Sequence, residues 1–231
     1  MSNPLGRGSS RANHLLNTSR YEYQDRAINL DFYPTLYTME DATKIYHSLK
    51  DTIRFTREIV PHQRRNQTYG DDGLVYSITF GGYSRRKPGG LISDQSYGGK
   101  RKNTVHRVAK PWSDVPILLP IKQEVEAVTG CKYNFCVAQY YPSGRVGINP
   151  HRDKEMVPGT TIVGLSFGQT RKLSMGPPRF LEDHFAPLVL DLLPGSMYVF
   201  HPPTNDWWSH SIVKDESEFP RISLTFRNVF E

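Results

Sequence analysis

Cysteine is almost missing from this chain: its 231 residues include only Cys131 and Cys136. Five positions apart, the two fall on opposite faces of a strand and make no disulfide framework, which favours a reducing compartment. We therefore expect an intracellular protein, in the nucleus or the cytoplasm. No run of about 20 apolar residues is present, which excludes a membrane-spanning helix. The opening residues, Met1-Ser-Asn-Pro-Leu-Gly-Arg-Gly8, lack the apolar core of a secretory leader. No internal repeat recurs. Acid is scarce in one region: residues 57–110 hold 11 Lys and Arg against 4 Asp and Glu, a net +7 in a chain whose total is +6. The remainder is close to neutral, at −1. A basic stretch on a near-neutral body is an electrostatic footprint for a polyanion, most simply nucleic acid. The same charge would also suit a solvated loop that touches nothing.

A chain of this length can bury one substantial core. Residues 1–27, rich in Ser, Asn, Arg and Gly without a period, are expected to be a mobile tail, which leaves 28–231 as a single domain. Asp31-Phe-Tyr-Pro34 enters the fold. Thr38-Met-Glu-Asp41 resembles a capping box, and Ala42, Ile45, Tyr46, Leu49 and Ile53 follow at helical spacing, predicting a helix of about fifteen residues. A second helix is predicted over Pro116–Thr129 from Ile117, Ile121, Val125 and Val128, with Gly130 as its C-terminal cap. Tyr69-Gly-Asp-Asp-Gly73 reads as a turn and Leu74–Phe80 as a strand. Ser84 to Lys110 carries Arg85, Arg86, Lys87, Lys100, Arg101, Lys102, Arg107 and Lys110 against Asp94, with no apolar period. It is expected to be a basic loop able to track a phosphate backbone.

Tyr133–Tyr141, Thr161–Phe167, Arg171–Met175, Leu188–Leu192 and Met197–Phe200 read as short strands, with a turn at Pro194-Gly195. Alternation sets Phe135, Val137, Gln139 and Tyr141 on one face of the first. In Arg221-Ile-Ser-Leu-Thr-Phe-Arg227, apolar Ile222, Leu224 and Phe226 alternate with Arg221, Ser223, Thr225 and Arg227, so both arginines share the face away from the core. Many short strands with two helices give an α+β chain, a sheet sandwich or jelly roll with the helices on one side.

The chemistry gathers at Asn149-Pro-His-Arg-Asp-Lys-Glu155. His151 and Asp153, two apart in an extended stretch, point the same way, and a distant histidine would complete two imidazoles and one carboxylate. That set, with open positions opposite, favours non-haem Fe(II) in oxygenases; it also suits catalytic zinc. His184, His201 and His210 are the candidates for the third ligand, and spacing does not choose among them. Two co-facial guanidiniums suit a dicarboxylate cosubstrate, for which zinc chemistry gives no reason.

Together, His151-x-Asp153, His210 and Arg221-x-Ser-Leu-Thr-Phe-Arg227 resemble the AlkB family of Fe(II)/2-oxoglutarate dioxygenases. The likeness runs through Thr68-Tyr-Gly-Asp71, Ser166-Phe-Gly168 and Thr204-Asn205-x-x-Trp208-x-His210-Ser211, over roughly residues 60–229. Its pattern is that of the animal AlkB homologues that repair alkylated DNA. The resemblance selects His210 as the distal ligand. It implies a double-stranded β-helix (a jelly roll) with supporting helices on one face and an N-terminal nucleotide-recognition lid within 57–110. It also implies Fe(II), 2-oxoglutarate and O2, used by a monomer to strip methyl groups from 1-methyladenine or 3-methylcytosine. DNA is the expected partner, with RNA as the alternative.

On the same resemblance, Arg221 is expected to pair with the 5-carboxylate of the cosubstrate, Arg227 with its 1-carboxylate end, and Tyr141 with its carboxylate region. Gln139 stands where relatives carry Asn, one methylene shorter, and Ser223 shares the arginines' face. Glu155 stands where relatives carry an acid that contacts the exocyclic amine of the base, a charge that complements a cationic lesion. Arg171 occupies a position where relatives also have Arg and is expected to line the site. Tyr76 and Phe80 are candidates for aromatics that hold an extruded base. Arg85, Arg86, Lys87, Lys100, Arg101 and Lys102 are candidates for contacts to the nucleic-acid backbone. A protein or small-molecule hydroxylase with the same iron core is an alternative, as is a non-catalytic nucleic-acid-binding protein, which the filled ligand positions disfavour.

Overall fold

Thr38 opens the first helix as the sequence predicts. The structure, a computed structural model, describes residues 21–25, 28–56, 63–81, 102–178 and 186–230, with the backbone alone at 21–25, 78–81 and 102–104. In it the Thr38 hydroxyl accepts from the Asp41 N–H at 3.1 Å and caps α1 (Met39–Thr52). Ala42, Ile45, Tyr46 and Leu49 form its buried stripe. Helix α2 (Leu118–Thr129) buries Leu118, Ile121 and Val125 and ends at Gly130, whose φ of 68° is the left-handed cap that the glycine permits.

Both helices cover one face of a large sheet. Its strands run in the spatial order β1 (Tyr21–Asp25), β2 (Ile28–Tyr33), β12 (Met197–Phe200), β9 (Ile162–Gly168), β14 (Arg221–Arg227), β7 (Phe135–Tyr141), β3 (Arg65–Gly70) and β6 (Lys110–Pro111). Every pairing in it is antiparallel except β3 with β6. A second sheet, in the order β11 (Leu188–Leu192), β10 (Arg171–Gly176), β13 (Ser209–Ile212) and β8 (Ile148–His151), lies across the opposite face. The hairpin of β4 (Val75–Gly81) and β5 (Lys102–Val108) stands as a third, two-stranded sheet.

The period of two sorts the large sheet into two buried faces. Cys136, Ala138, Val163, Leu165, Phe167, Ile222, Leu224 and Phe226 turn to the helices. Tyr141, Ile162, Tyr198 and Phe200 turn the other way, against Leu173, Met175, Leu190, Leu192 and Ile212 of the small sheet. Each Val, Leu, Ile, Phe or Met among them contributes about 1.5–3 kcal/mol by leaving water. This is the jelly roll with helices on one face that the sequence predicts.

Three expectations need correction. The tail does not extend to residue 27, because Tyr21–Asp25 is an edge strand paired along its length with β2. The segment 84–110 is not loop throughout: Lys102–Val108 pairs with β4, and Lys110–Pro111 with β3. Tyr69 and Gly70 end a strand, and the turn begins at Asp71, whose carbonyl accepts from Leu74 N–H at 3.0 Å.

Candidate active site

Strands β8 and β13 bring two of the predicted ligands together. They pair antiparallel with His210 opposite His151 and Ile212 opposite Ile148, so β8 holds one residue more than β13 between the same two rungs. That bulge lets Ile148 and His151, three apart, face the same cleft, which regular alternation forbids. The two imidazoles lie 4.3 Å apart between centroids. Asp153 Oδ1 is 3.7 Å from His151 Nε2. One ligand atom from each of the three side chains falls within 4.8 Å of the others, a span that one metal ion can bridge.

Their charge states fit. Burial pushes the His210 imidazole down to about 4, despite the pull of Asp153, so at neutral pH it offers a lone pair. Its Nδ1 is buried without a hydrogen-bond partner among the described residues. For Asp153, burial alone would raise the pKa; Arg227, His210 and His151 outweigh it and hold the carboxyl below its usual range. Arg227 Nη1 lies 3.0 Å from Asp153 Oδ2, close enough for an ion pair though poorly directed for a hydrogen bond. A neutral imidazole and an ionised carboxylate are the forms that a metal takes.

The far end of the cleft is built by β14 and β7, which set Arg221 opposite Tyr141. Arg221 is 2% exposed. Its Nε donates to Ser166 Oγ at 2.8 Å, and its guanidinium sits 5.0 Å over the Tyr141 ring. Its Nη1 is buried with no hydrogen-bond partner among the described residues. Burial lowers the pKa of Arg221, and an anion in the cleft would relieve that cost by giving the fork a planar partner. Ser223, Thr225 and Arg227 continue the same wall, as alternation predicts. Gln139 also lines it and accepts from the Tyr141 hydroxyl at 2.8 Å. Tyr198, Leu173, Ile148 and Ile212 complete the lining without having been singled out from the sequence. Alternation alone identifies Thr225, whereas the bulge hides Ile148. Tyr198 lies across from Gly164 on β9, its ring filling the space where any Cβ at 164 would stand.

Arg171 is not a lining residue. Its Nη2 donates to the carbonyls of Gly144, Val146 and Val213 at 2.9, 2.9 and 2.7 Å, and its Nε lies 2.8 Å from Asp215 Oδ2. This guanidinium is spent on clamping two loops. Tyr76 is likewise packed rather than presented: its ring lies 4.6 Å from that of Phe135, and its hydroxyl is 3.0 Å from Thr68 Oγ1. Glu155 is half-buried two residues beyond Asp153. The Phe80 and Lys102 side chains lie outside the described residues, as do Arg85, Arg86, Lys87, Lys100, Arg101 and His184. His201 is bonded through Nε2 to Asp31 Oδ2 at 2.7 Å and is not part of the triad.

The 2OG-Fe(II) oxygenase superfamily matches residues 30–227 of the chain. DNA oxidative demethylase ALKBH2 of Mus musculus is 32% identical over 218 residues, 85% of this chain and 79% of that protein. The Homo sapiens protein of the same name is 32% identical over 226 residues, 88% and 75% of the two chains. Alpha-ketoglutarate-dependent dioxygenase alkB homolog 3 of Bos taurus is 32% identical over 123 residues, half of this chain and 43% of that one. Among solved structures, OsALKBH1 superposes with a TM-score of 0.52 at 13% identity, over 90% of this chain and all of that one, a likeness of fold.

Proposed function

The chain belongs to the 2OG-Fe(II) oxygenase superfamily, among its AlkB-like members, and on that footing we propose that it demethylates N-alkylated bases in nucleic acid. The substrates we assign are 1-methyladenine and 3-methylcytosine in DNA, acted on by a monomer in the nucleus or cytoplasm. The observation that carries this reading is the convergence of His151, Asp153 and His210 on one cleft, whose far wall holds an Arg221 nitrogen with no hydrogen-bond partner among the described residues.

His151, Asp153 and His210 would hold Fe(II), which with 2-oxoglutarate and O2 supplies the oxidation that converts an N-methyl group to formaldehyde, leaving succinate and CO2. The residues around it bind and orient. Arg221 receives the 5-carboxylate of 2-oxoglutarate in its fork, backed by Ser166 and the Tyr141 ring. Ser223, Gln139 and the Tyr141 hydroxyl hold the chain of the cosubstrate, and Arg227 faces its 1-carboxylate end while keeping Asp153 ionised. Glu155 complements the positive charge of a base methylated at N1 or N3. Phe80 packs against that base once it is flipped, since a methyl inside a duplex is out of reach. Arg85, Arg86, Lys87, Lys100, Arg101 and Lys102 run along the phosphates. Zinc would accept the same ligands but leaves Arg221 without an occupant.

The test is to incubate the protein with Fe(II), 2-oxoglutarate and oligonucleotides carrying 1-methyladenine or 3-methylcytosine. DNA and RNA, single and double strands, are followed by mass spectrometry. Loss of one methyl per turnover, coupled to succinate, is expected, with DNA ahead of RNA. Succinate formed without loss of a methyl from any of these would overturn the substrate assignment.

A further inference from the structure

Two adjacent side chains on the short helix α3 (Thr204–Trp207) are used in the same unusual way, in opposite directions. The Thr204 hydroxyl accepts from the N–H of Asn29 at 2.7 Å and donates to the carbonyl of the same residue at 2.8 Å. The Asn205 amide accepts from the N–H of Asp153 at 2.9 Å and donates to the Asp153 carbonyl at 2.8 Å. Each side chain thus satisfies both polar groups of one distant backbone residue. Asn29 lies in β2 of the large sheet, while Asp153 lies in the irregular stretch after β8, where no ladder holds it.

We propose that Thr204 and Asn205 form a bracket that fixes the metal-ligand segment to the large sheet, with Asn205 as a positioning residue for Asp153. The bracket is itself anchored. Thr204 is fully buried, His201 donates its N–H to Asn29 O at 2.9 Å, and His201 Nε2 is 2.7 Å from Asp31 Oδ2. An Arg152 nitrogen donates to the Asp206 carbonyl, adding a second tie between the two segments. Asp153 is therefore gripped at both ends, by Arg227 at its carboxylate and by Asn205 at its peptide groups. The second grip matters because Asp153 and Asn205 also line a separate polar cavity of about 120 Å³ behind the segment. Without the amide, water from that cavity can solvate the Asp153 backbone groups and let the carboxylate swing away from the two imidazoles. Held ligands lose less freedom when they close on a metal, and outer partners of this kind change metal affinity roughly 10- to 100-fold.

The inference rests on the three ligands alone, so its test uses Co(II) and no nucleic acid. Visible absorption of Co(II) titrated into the full-length protein reports affinity and ligand geometry, and thermal unfolding of the metal-free protein is measured alongside. We expect Asn205→Ala to weaken Co(II) binding roughly 10- to 100-fold and alter the visible band, while the protein remains folded. A merely structural role would lower the unfolding midpoint and leave the dissociation constant of the folded fraction unchanged. Thr204→Val, which keeps shape and loses the hydroxyl, should weaken Co(II) in the same direction, and Thr204→Ser should not. An Asn205→Ala protein that binds Co(II) as tightly as the parent overturns the proposal. If that variant fails to fold, equal affinities for Thr204→Val and Thr204→Ser overturn it instead. Failure to demethylate any oligonucleotide would leave these outcomes untouched.

Discussion

Arg171 and Arg221 flank the Tyr141 ring at 5.9 and 5.0 Å, yet Arg171 is engaged by four backbone carbonyls and by Asp215, whereas Arg221 Nη1 has no hydrogen-bond partner among the described residues. Arg221→Lys keeps the charge and loses the fork, so the KM for 2-oxoglutarate should rise roughly 10- to 100-fold, the loss of about 1.5–3 kcal/mol for a charged hydrogen bond. The KM for oligonucleotide should stay within about twofold of the parent's, a difference of well under 1 kcal/mol that owes nothing to the fork. An unchanged cosubstrate KM would remove Arg221 from its role. Arg171→Met should do the reverse. It takes a donor from four backbone carbonyls and frees Asp215, costing about 3 kcal/mol and roughly 6–12 °C of thermal midpoint, with both KM values preserved. A raised oligonucleotide KM at full stability would instead return Arg171 to the substrate site. The sequence pattern around Arg171 could not distinguish these roles, because its partners lie in two loops that meet only in the fold. His210 is marked by the family resemblance that runs through Asn205 and Trp208 rather than by spacing, and the structure places it opposite His151. His210→Ala should abolish both turnover and Co(II) binding, which the parent alone should show in a side-by-side titration.

Elements with a strong apolar period were legible in the sequence, and those whose order comes from a neighbour were not. Strand β14 and helix α1 were readable because one face of each is apolar throughout, and in α1 Thr38 adds a cap. Strand β5, Lys-Asn-Thr-Val-His-Arg-Val, carries no such stripe; it is a strand because β4 offers it a complete ladder from Val75 to Gly81. Strand β1 is similar, paired to β2 at the sheet edge. Strands β8 and β13 were obscured for another reason: histidines replace apolar residues on their inward face, and the bulge breaks the period. Excising residues 84–110 would therefore remove half of the β4–β5 hairpin and expose the edge of β4. Replacing Arg85, Arg86, Lys87, Lys100, Arg101 and Lys102 with Ser tests the charge without that damage. If these side chains follow phosphates, the log–log salt dependence of oligonucleotide binding should flatten by roughly 0.7–0.9 per lost contact. Superimposable slopes for variant and parent would leave the segment as solvated spacer.

At the scale of the whole molecule, the ligand cleft joins the two sheets: His151 and His210 come from the small one, Tyr141, Tyr198 and Arg221 from the large. Anything that binds there ties the sheets together and raises the unfolding midpoint by mass action. At about 100 times its dissociation constant a ligand adds about 2.7 kcal/mol, or roughly 5–11 °C for a chain of this size. Mn(II) with 2-oxoglutarate, added without a reducing agent for turnover, should produce such a rise in differential scanning fluorimetry. EDTA should reverse it, and Asp153→Ala should show none. A full shift in the Asp153→Ala protein would place the metal elsewhere. Between the sheets, one contact also leaves a mark on descent. The ring of Tyr198 occupies the room that a side chain at Gly164 would need, so position 164 cannot gain one while the tyrosine stays. A lineage that acquires alanine at the first must shrink the second or lose the floor of its cleft. Across homologous chains, tyrosine at the second should always be accompanied by glycine at the first.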